Sequence, residues 1–140
     1  MNVYIIDASV AAKWFFNEIL SDEARRILFK GNYFYAPDFL LLEMDSVFCK
    51  RIRLGDITRD DGEDARILFR QLPIEYHPFA SFQNMAYSIA IQTKQSIYDC
   101  LYIALAALIE GKMVTADRRL FDRLLNGPLG KHLLWVGDIS

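Results

Sequence analysis

The sequence predicts an α/β fold, a three-layer α/β/α sandwich around a mainly parallel sheet. Short apolar segments alternate with longer helical ones along the chain, and this alternation favours parallel strands joined by right-handed crossovers. The segments 2–6 and 112–116 are almost continuously apolar, which is typical of strands covered by helices on both faces. The chain has 140 residues, 53% of them hydrophobic, so we expect one domain, 1–140, with a substantial core.

Five segments have strand character, because they are short, rich in β-branched or aromatic residues and bounded by breaks in the pattern. In chain order they are NVYII (2–6), YFYA (33–36), IEYH (74–77), KMVTA (112–116) and LLWVG (133–137). Pro37 and Pro78 directly follow the second and the third of these segments and mark where they end.

The segments between the strands have helical patterns. The predicted helices lie at 8–16, 21–30, 38–55, 58–72, 79–93, 97–110 and 117–125. Ser21, Asp38 and Thr58 are predicted N-caps, because a short polar side chain before a helix can accept a hydrogen bond from its first turn. Gly55 is predicted to end the third helix, since glycine readily adopts the left-handed conformation found there.

Composition and charge argue against several classes of function. The formal net charge is −2, so the bulk charge does not indicate a nucleic-acid binder. The apolar run 100–109 is too short for a membrane-spanning helix, which needs about 20 residues. The N-terminal apolar stretch carries Asp7 and lacks a basic leader, unlike a signal peptide. We therefore expect a cytoplasmic protein with no membrane partner, and Cys49 and Cys100 to be core thiols.

Two aspartates follow predicted strands. Asp7 comes directly after the strand at 2–6, and Asp117 follows the strand at 112–116. In open parallel sheets the working crevice lies beyond the carboxyl ends of the strands, so these carboxylates would share it if the two strands are neighbours. Each aspartate also precedes a helix, and a role as N-cap is the alternative.

Two further acids lie next to apolar segments. Asp99 directly precedes the apolar run 100–109, and a buried carboxylate needs a partner, a cap or a cation. The segment 96–99 matches a capping box, which would make Asp99 a structural residue. Glu43 lies in the second turn of its helix, where it could be solvated, although its neighbours are mostly apolar.

Taken together, the acids favour a cation. Carboxylates that crowd together raise one another's pKa unless a cation neutralises them. The candidate ligands are all oxygens, because His77 and His132 lie elsewhere in the sequence. Oxygen ligands suit Mg²⁺ or Mn²⁺ rather than structural zinc.

Several segments, in this order, resemble those of PIN-domain ribonucleases. They are IIDAS near the N-terminus, a glutamate in the helix after AP, the segment YDCLYIALA and the segment VTADRRLF. The chain length and the order of these segments are similar to VapC toxins of bacterial or archaeal toxin–antitoxin pairs. The resemblance spans 2–140.

The resemblance implies a divalent-metal-dependent ribonuclease whose catalytic acids are Asp7, Glu43, Asp99 and Asp117. In such an enzyme the acids hold one or two Mg²⁺ or Mn²⁺ ions, and an activated water attacks the phosphodiester. Asp7, Asp99 and Asp117 would be metal ligands, and Glu43 would be a ligand or would orient the water. Ser9 would support the first acid with its hydroxyl group.

The sequence departs from the family pattern at two positions. Arg119 stands where many relatives have a further acid, and Asp122, a little further on, has no assigned role. Ser46 stands where relatives often have asparagine, with Asp45 beside it.

Basic residues near the acids are candidates for RNA binding. Arg118 and Arg119 lie at a helix start, where the helix dipole disfavours cations, so we expect at least one of them to contact phosphate. The basic segment 49–53 lies at the end of the Glu43 helix, where it could contact phosphates or simply complement the dipole. Tyr98 and Tyr102 could stack on bases, but core packing is the expectation for both.

The resemblance also implies protein partners, namely a second copy in a homodimer and a cognate antitoxin. Two other functions stay open. A phosphatase of the haloacid-dehalogenase type would use Asp7 as its nucleophile, but it needs a second acid where Ser9 stands. A catalytically degenerate PIN module that binds RNA or protein without cutting is compatible with Arg119 in place of an acid.

Overall fold

The computed structural model describes residues 2–29 and 31–139. Its strands are β1 (Val3–Ile6), β2 (Tyr33–Pro37), β3 (Ile74–His77), β4 (Lys112–Thr115) and β5 (Leu133–Trp135). Its α-helices are α1 (Ala8–Phe15), α2 (Ser21–Arg26), α3 (Phe39–Arg53), α4 (Arg59–Gln71), α5 (Gln83–Thr93), α6 (Ile97–Leu108) and α7 (Arg118–Leu124).

The strands form one parallel sheet in the order β3-β2-β1-β4-β5. The chain leaves β1 towards β2 on one side and later returns to β4 on the other side. The carboxyl ends of β1 and β4 therefore lie at the topological switch point, where α/β proteins form their ligand crevice. Ile6 pairs with Val114, which brings the residues after these two strands side by side. The predicted α/β fold and the parallel sheet are confirmed.

Helix α6 is the central helix of the core. Its residues from Cys100 to Ala106 are all buried, and the helix packs against β1, β2 and β4. A helix that is apolar on every side needs such an environment, because no face of it can be left in water without cost. The central position of α6 thus explains the apolar run 100–109. Among residues 2–29 and 31–139, no helix is long and apolar enough to cross a membrane.

Two of the predicted N-caps are wrong. Leu20 occupies the N-cap position of α2 in a left-handed conformation, with φ of 70°. The hydroxyl of Ser21 instead accepts a hydrogen bond from the backbone of Glu18 and donates one to the carbonyl of Phe16. It therefore stabilises the turn before the helix.

Asp38 precedes α3 but makes no side-chain bond to it. Its Oδ1 accepts a hydrogen bond of 3.0 Å from the backbone N–H of Phe79, which follows β3. This bond joins two segments that are distant in the sequence, so local pattern could not reveal it. Thr58 caps α4 as predicted, accepting from the N–H of Asp61 at 3.0 Å, and Gly55 follows α3 with φ of 78°.

Some predicted elements are shorter than expected. The helix predicted for 21–30 ends at Arg26 and continues as a 3₁₀ turn over Ile27–Phe29, while Lys30 lies outside the described residues. The strand predicted for 133–137 ends at Trp135, and a 3₁₀ turn follows. Cys100 is buried as predicted, but Cys49 is exposed, because it lies on the side of α3 that faces away from the core.

Gly130 provides a test of how tightly the segment before β5 packs. A Cβ atom at this buried glycine would lie 1.8 Å from the backbone oxygen of Leu125, whereas a Cβ at Gly127 would lie 3.6 Å from its nearest neighbour, Leu124 O. We expect Gly130→Ala to lower the free energy of unfolding by about 2 kcal/mol or more, since backbone cannot easily move aside. Gly127→Ala should change it by less than about 1 kcal/mol. Urea denaturation of both variants measures this, and equal stabilities would contradict the packing described.

Candidate active site

Asp7 and Asp117 cap the helices that follow β1 and β4. Asp7 Oδ1 accepts a hydrogen bond of 3.0 Å from the N–H of Val10 at the start of α1. Asp117 Oδ1 accepts one of 3.1 Å from the N–H of Leu120 in α7. Asp7 is only 6% exposed, whereas Asp117 is exposed to solvent. The capping interpretation is thus correct for both residues. Because β1 and β4 are neighbouring parallel strands, both carboxylates lie at the same edge of the sheet.

Ser9 joins the ends of the two central strands. Its hydroxyl donates to Asp7 Oδ1 at 2.6 Å and accepts from the backbone N–H of Ala116, which follows β4, at 3.0 Å. The side chain therefore bridges residues more than a hundred positions apart in the chain. It fixes the Asp7 carboxylate relative to the segment that carries Asp117.

Asp99 lies in the first turn of α6 and is partly buried. The hydroxyl of Ser96 caps this helix by accepting a 3.1 Å bond from the N–H of Tyr98. The reciprocal bond of a capping box, from Ser96 N–H to Asp99, is not among the hydrogen bonds of the described residues. The carboxylate of Asp99 is therefore left for another role.

Tyr102, for which core packing was the expectation and base stacking the alternative, is buried and also contacts a site acid. It is 2% exposed, and its hydroxyl donates a hydrogen bond to the Glu43 carboxylate. This bond ties α6 to α3. One available signal was the spacing of Tyr102 from Asp99, because residues three apart share one face of a helix.

Burial and mutual repulsion raise the pKa values of the acids. Desolvation raises the pKa of Asp7 to about 6, opposed by hydrogen bonds from Ser9, Thr115 and the Val10 backbone, with the charge of Asp99 adding to the rise. Burial also raises the pKa of Glu43; the Tyr102 hydrogen bond opposes this, and the charge of Asp99 adds to it.

Asp99 connects the four acids electrostatically. Its charge raises the pKa of both Asp7 and Glu43, and its own pKa is raised by burial and by the charge of Asp117. Asp7, Glu43 and Asp117 therefore each lie within electrostatic range of Asp99, although only Glu43 and Asp99 line the same cavity. The four acids do not converge tightly: within 2–29 and 31–139, no group of three or more His, Cys, Asp or Glu is arranged to hold a metal ion.

Two cavities open next to these acids. One, of about 680 Å³, is lined by Glu43 and Asp99 together with Phe39, Leu42 and Tyr98. The structure therefore brings apolar and aromatic side chains directly beside the carboxylates.

The second cavity, of about 490 Å³, touches Ser9 and contains the cations of Lys13, Lys50 and Arg51. Lys13 and Arg51 both pair with Glu18, so Lys50 is the residue of this group without a salt bridge among the described residues. Glu18 and Asp56 also line this cavity, so Lys50 is the cation that it offers without an ion pair in the described part of the chain.

Arg118 and Arg119, both predicted to bind RNA, differ in their surroundings. Arg118 pairs with Asp122 at 3.2 Å, and its guanidinium lies 4.8 Å from the ring centre of Trp135. Arg119 is exposed and forms no salt bridge among the described residues. Asp122 thus has a partner on its own helix.

The family model for the PIN domain matches residues 4–125, which includes all four acids. The chain belongs to the PIN domain family. The resemblance predicted from the sequence motifs is confirmed, and the matched segment contains β1 to β4 and their helices.

Relatives and solved structures agree with this family. The chain is 28% identical over 123 residues to Ribonuclease VapC3 of Pyrobaculum aerophilum, covering 85% of this chain and 92% of the relative. The crystal structure of PAE2754 from Pyrobaculum aerophilum has a TM-score of 0.69 at 16% identity, covering 97% of this chain and 85% of that one. VapBC2 from Rickettsia felis, bound to a DNA fragment from their promoter, has a TM-score of 0.63 at 14% identity, covering 95% and 98%. The two structures show that the fold is shared.

The raised pKa of Asp7 predicts an unusual dependence of stability on pH. The folded state keeps this proton up to a pH of about 6, whereas an unfolded aspartate loses it near 3.8. In metal-free solution the protein should therefore lose about 3 kcal/mol of stability as the pH rises from about 4 to about 6. Asp7→Asn should remove this loss and be more stable than the wild type at pH 7.5. Urea denaturation in EDTA at pH 4 and pH 7.5 measures it.

Asp45→Asn is the matched control for this prediction. Asp45 receives hydrogen bonds from Arg66 at 2.6 Å and 3.0 Å, and these bonds and charges lower its pKa. Its neutralisation should slightly destabilise the protein at pH 7.5, by less than about 1 kcal/mol because the pair is exposed. If both variants shift stability in the same direction, burial of Asp7 is not the cause.

The contact between Tyr102 and Glu43 predicts the effect of removing one oxygen atom. Tyr102→Phe leaves the partly buried Glu43 carboxylate without its donor, and should cost about 1–2 kcal/mol in free energy of unfolding at pH 7.5. Tyr98→Phe removes a hydroxyl from an exposed tyrosine and should change it by less than about 0.5 kcal/mol. Thermal and urea unfolding compare the two, and equal losses would contradict the proposed contact.

Proposed function

We propose that this chain is a divalent-metal-dependent ribonuclease that hydrolyses RNA phosphodiester bonds, and that it is the toxin of a toxin–antitoxin pair acting in the cytoplasm. The observation that carries the proposal is the proximity of four carboxylates. Asp7 and Asp117 lie at the carboxyl ends of β1 and β4, and Asp99 is close enough to Asp7, Glu43 and Asp117 for their charges to interact. The printed names of its relatives, which include a VapC ribonuclease, support the same function.

The chemistry of the acids supports Mg²⁺ or Mn²⁺ as cofactor. Every candidate ligand is a carboxylate oxygen, and these hard cations prefer such ligands. Burial and like charge raise the pKa of Asp7, Glu43 and Asp99, so a cation would stabilise the ionised forms. Asp7, Asp99 and Asp117 would hold the ion. When bound, such a cation activates water as a nucleophile and neutralises charge developing on the phosphate.

Other residues would act by positioning these acids. Ser9 holds the Asp7 carboxylate with a 2.6 Å hydrogen bond, and Tyr102 holds Glu43 through its hydroxyl. Glu43, which is thereby fixed against rotation, would orient the attacking water or serve as a further ligand. Burial raises the pKa of Glu43, which makes its carboxylate a stronger proton acceptor than a solvated glutamate.

Basic side chains around the acids would bind the phosphate backbone. Arg119 is exposed at the start of α7, next to Asp117, and Lys50 lines the cavity that touches Ser9. Arg118 would contribute after exchanging its ion pair with Asp122 for a phosphate. Such contacts carry affinity without sequence preference, so they would position RNA rather than select it.

Similarity to toxin–antitoxin structures supports an antitoxin as a protein partner. The VapBC2 structure from Rickettsia felis and a toxin-antitoxin complex from Klebsiella pneumoniae share the fold, with TM-scores of 0.63. A cognate antitoxin is accordingly proposed as a partner, together with a homodimer of this chain. Exposed apolar side chains of α4, among them Ile67 and Leu68, provide surface for such contacts.

A catalytically degenerate PIN module that binds RNA or protein without cutting is the second candidate. Two features favour it: Arg119 stands where the resemblance to the family implies a further acid, and no three of the carboxylates in the described chain are arranged around one metal position. Incubation with single-stranded RNA in Mn²⁺ and then in EDTA separates the two functions. Cutting that EDTA stops identifies the nuclease, and binding without cutting identifies the module.

Asp7→Asn should abolish metal-dependent cleavage while the protein remains folded, because one ligand oxygen loses its charge. We expect a fall in cleavage rate of at least about 100-fold, measured with labelled single-stranded RNA in Mn²⁺. Asp45→Asn, an equal change of charge on the side of α3 that faces α4, should retain activity. Full activity of Asp7→Asn would exclude the assignment of this acid as a ligand.

A further inference from the structure

Tyr98 and Phe39 form a stacked aromatic pair beside the acids. Their ring centres lie 5.2 Å apart, and the ring planes differ by only 14°. Phe79 packs edge-on against Phe39 at 6.3 Å and supports it from the other direction. Parallel stacking of this kind holds the Tyr98 ring in one orientation.

Tyr98 is open to solvent despite this packing. It is 56% exposed, whereas Tyr102, one turn further along α6, is 2% exposed. The expectation of core packing is therefore correct for Tyr102 and wrong for Tyr98. Because Phe39 covers one face of the Tyr98 ring, the exposed part of the side chain includes the opposite face.

The stacked pair lines the cavity that contains two of the acids. This cavity, of about 680 Å³, has Phe39, Leu42 and Tyr98 on its walls together with Glu43 and Asp99. Tyr98 directly precedes Asp99 in the chain, so the ring is fixed within one residue of a proposed ligand. A group that stacks on the ring would therefore lie next to the reacting phosphate.

We propose that Tyr98, supported by Phe39, is a stacking platform for one nucleobase of single-stranded RNA next to the scissile phosphodiester. The proposal rests on the proposed function and adds the side chain that holds one base of the substrate. Aromatic rings bind unpaired bases of any sequence by stacking, since every base has a π-face. A base in a duplex is already stacked and paired, so this platform selects unpaired RNA.

The acids in the cavity argue against a second protein copy as its occupant. A partner with an apolar surface would bury Glu43 and Asp99 without neutralising them, which is costly. A nucleotide places its base on the aromatic wall and its phosphate, with the accompanying cations, at the carboxylates. Its two parts therefore match the two kinds of surface that meet there.

The test compares Tyr98→Ala with a matched exposed tyrosine. Tyr87 on α5 is 59% exposed and does not line this cavity, so Tyr87→Ala is the control. Binding of a fluorescein-labelled eight-nucleotide single-stranded RNA is measured by anisotropy in EDTA and again in Mn²⁺, and a gel of each sample establishes that the RNA is intact when its anisotropy is read. We expect Tyr98→Ala to weaken binding about 5- to 100-fold, and Tyr98→Phe and Tyr87→Ala to bind as the wild type does.

Abasic RNA identifies the base as the group that is bound. One abasic nucleotide is placed at each position of the same RNA in turn, which removes a base but no phosphate. At one position, the abasic RNA should bind the wild type with the same reduced affinity that intact RNA has for Tyr98→Ala. Combining that abasic RNA with Tyr98→Ala should not reduce the affinity any further. Circular dichroism and light scattering establish that the variants keep their fold and oligomeric state.

Several outcomes would overturn the proposal. RNA affinity that is unchanged in Tyr98→Ala, or reduced equally in Tyr98→Ala and Tyr87→Ala, would do so. So would losses of affinity that are fully additive between Tyr98→Ala and every abasic RNA, or a wild type that binds no RNA in either condition. A change of oligomeric state in Tyr98→Ala with unchanged RNA affinity would assign the surface to a second copy instead. Failure of the proposed function is distinct: it appears as base-dependent binding through Tyr98 without cleavage in Mn²⁺.

Discussion

The buried carboxylate of Asp7 is the constraint on which the site depends. It lies where β1 ends, almost completely removed from water, and is held by the backbone of Val10 and the hydroxyl of Ser9. Ser9 in turn accepts a bond from Ala116, so the carboxyl ends of β1 and β4 are fixed to one another through this side chain. Asp117, one residue further on, thereby gains a defined place relative to Asp7.

The same burial makes the site a source of instability in the metal-free protein. Desolvation and the neighbouring acids disfavour the ionised forms of Asp7, Glu43 and Asp99. Helix α6, which carries Asp99, has no basic residue that could offset these charges. The hydrogen bonds from Ser9 and Tyr102 reduce this cost but do not remove it. Such opposition between stability and function is expected where a protein keeps several like charges together at a functional site.

Patterns within short segments predicted the helices and strands, but they did not predict the side-chain hydrogen bonds at two helix starts. The strand patterns predicted β1 to β5, with β5 two residues too long, and the apolar run predicted the buried helix α6, because strand and helix periodicity depend only on neighbouring residues. Ser21 and Asp38 were misassigned as N-caps for the opposite reason. Both have the chemistry of a cap, but each makes hydrogen bonds elsewhere, and Asp38 reaches Phe79, which is 41 residues away.

The sequence by itself determined the α/β fold, the PIN-like order of acidic motifs and the oxygen character of the candidate ligands. These features follow from residue type and spacing, which are local properties. Only the tertiary structure decided that Asp99 interacts with the three other acids, that Tyr102 donates to Glu43 across 59 residues, and that Tyr98 faces solvent while Tyr102 does not. The physical reason is that these relations depend on how α6 is rotated against the sheet and α3, and that rotation is set by the packing of the whole core.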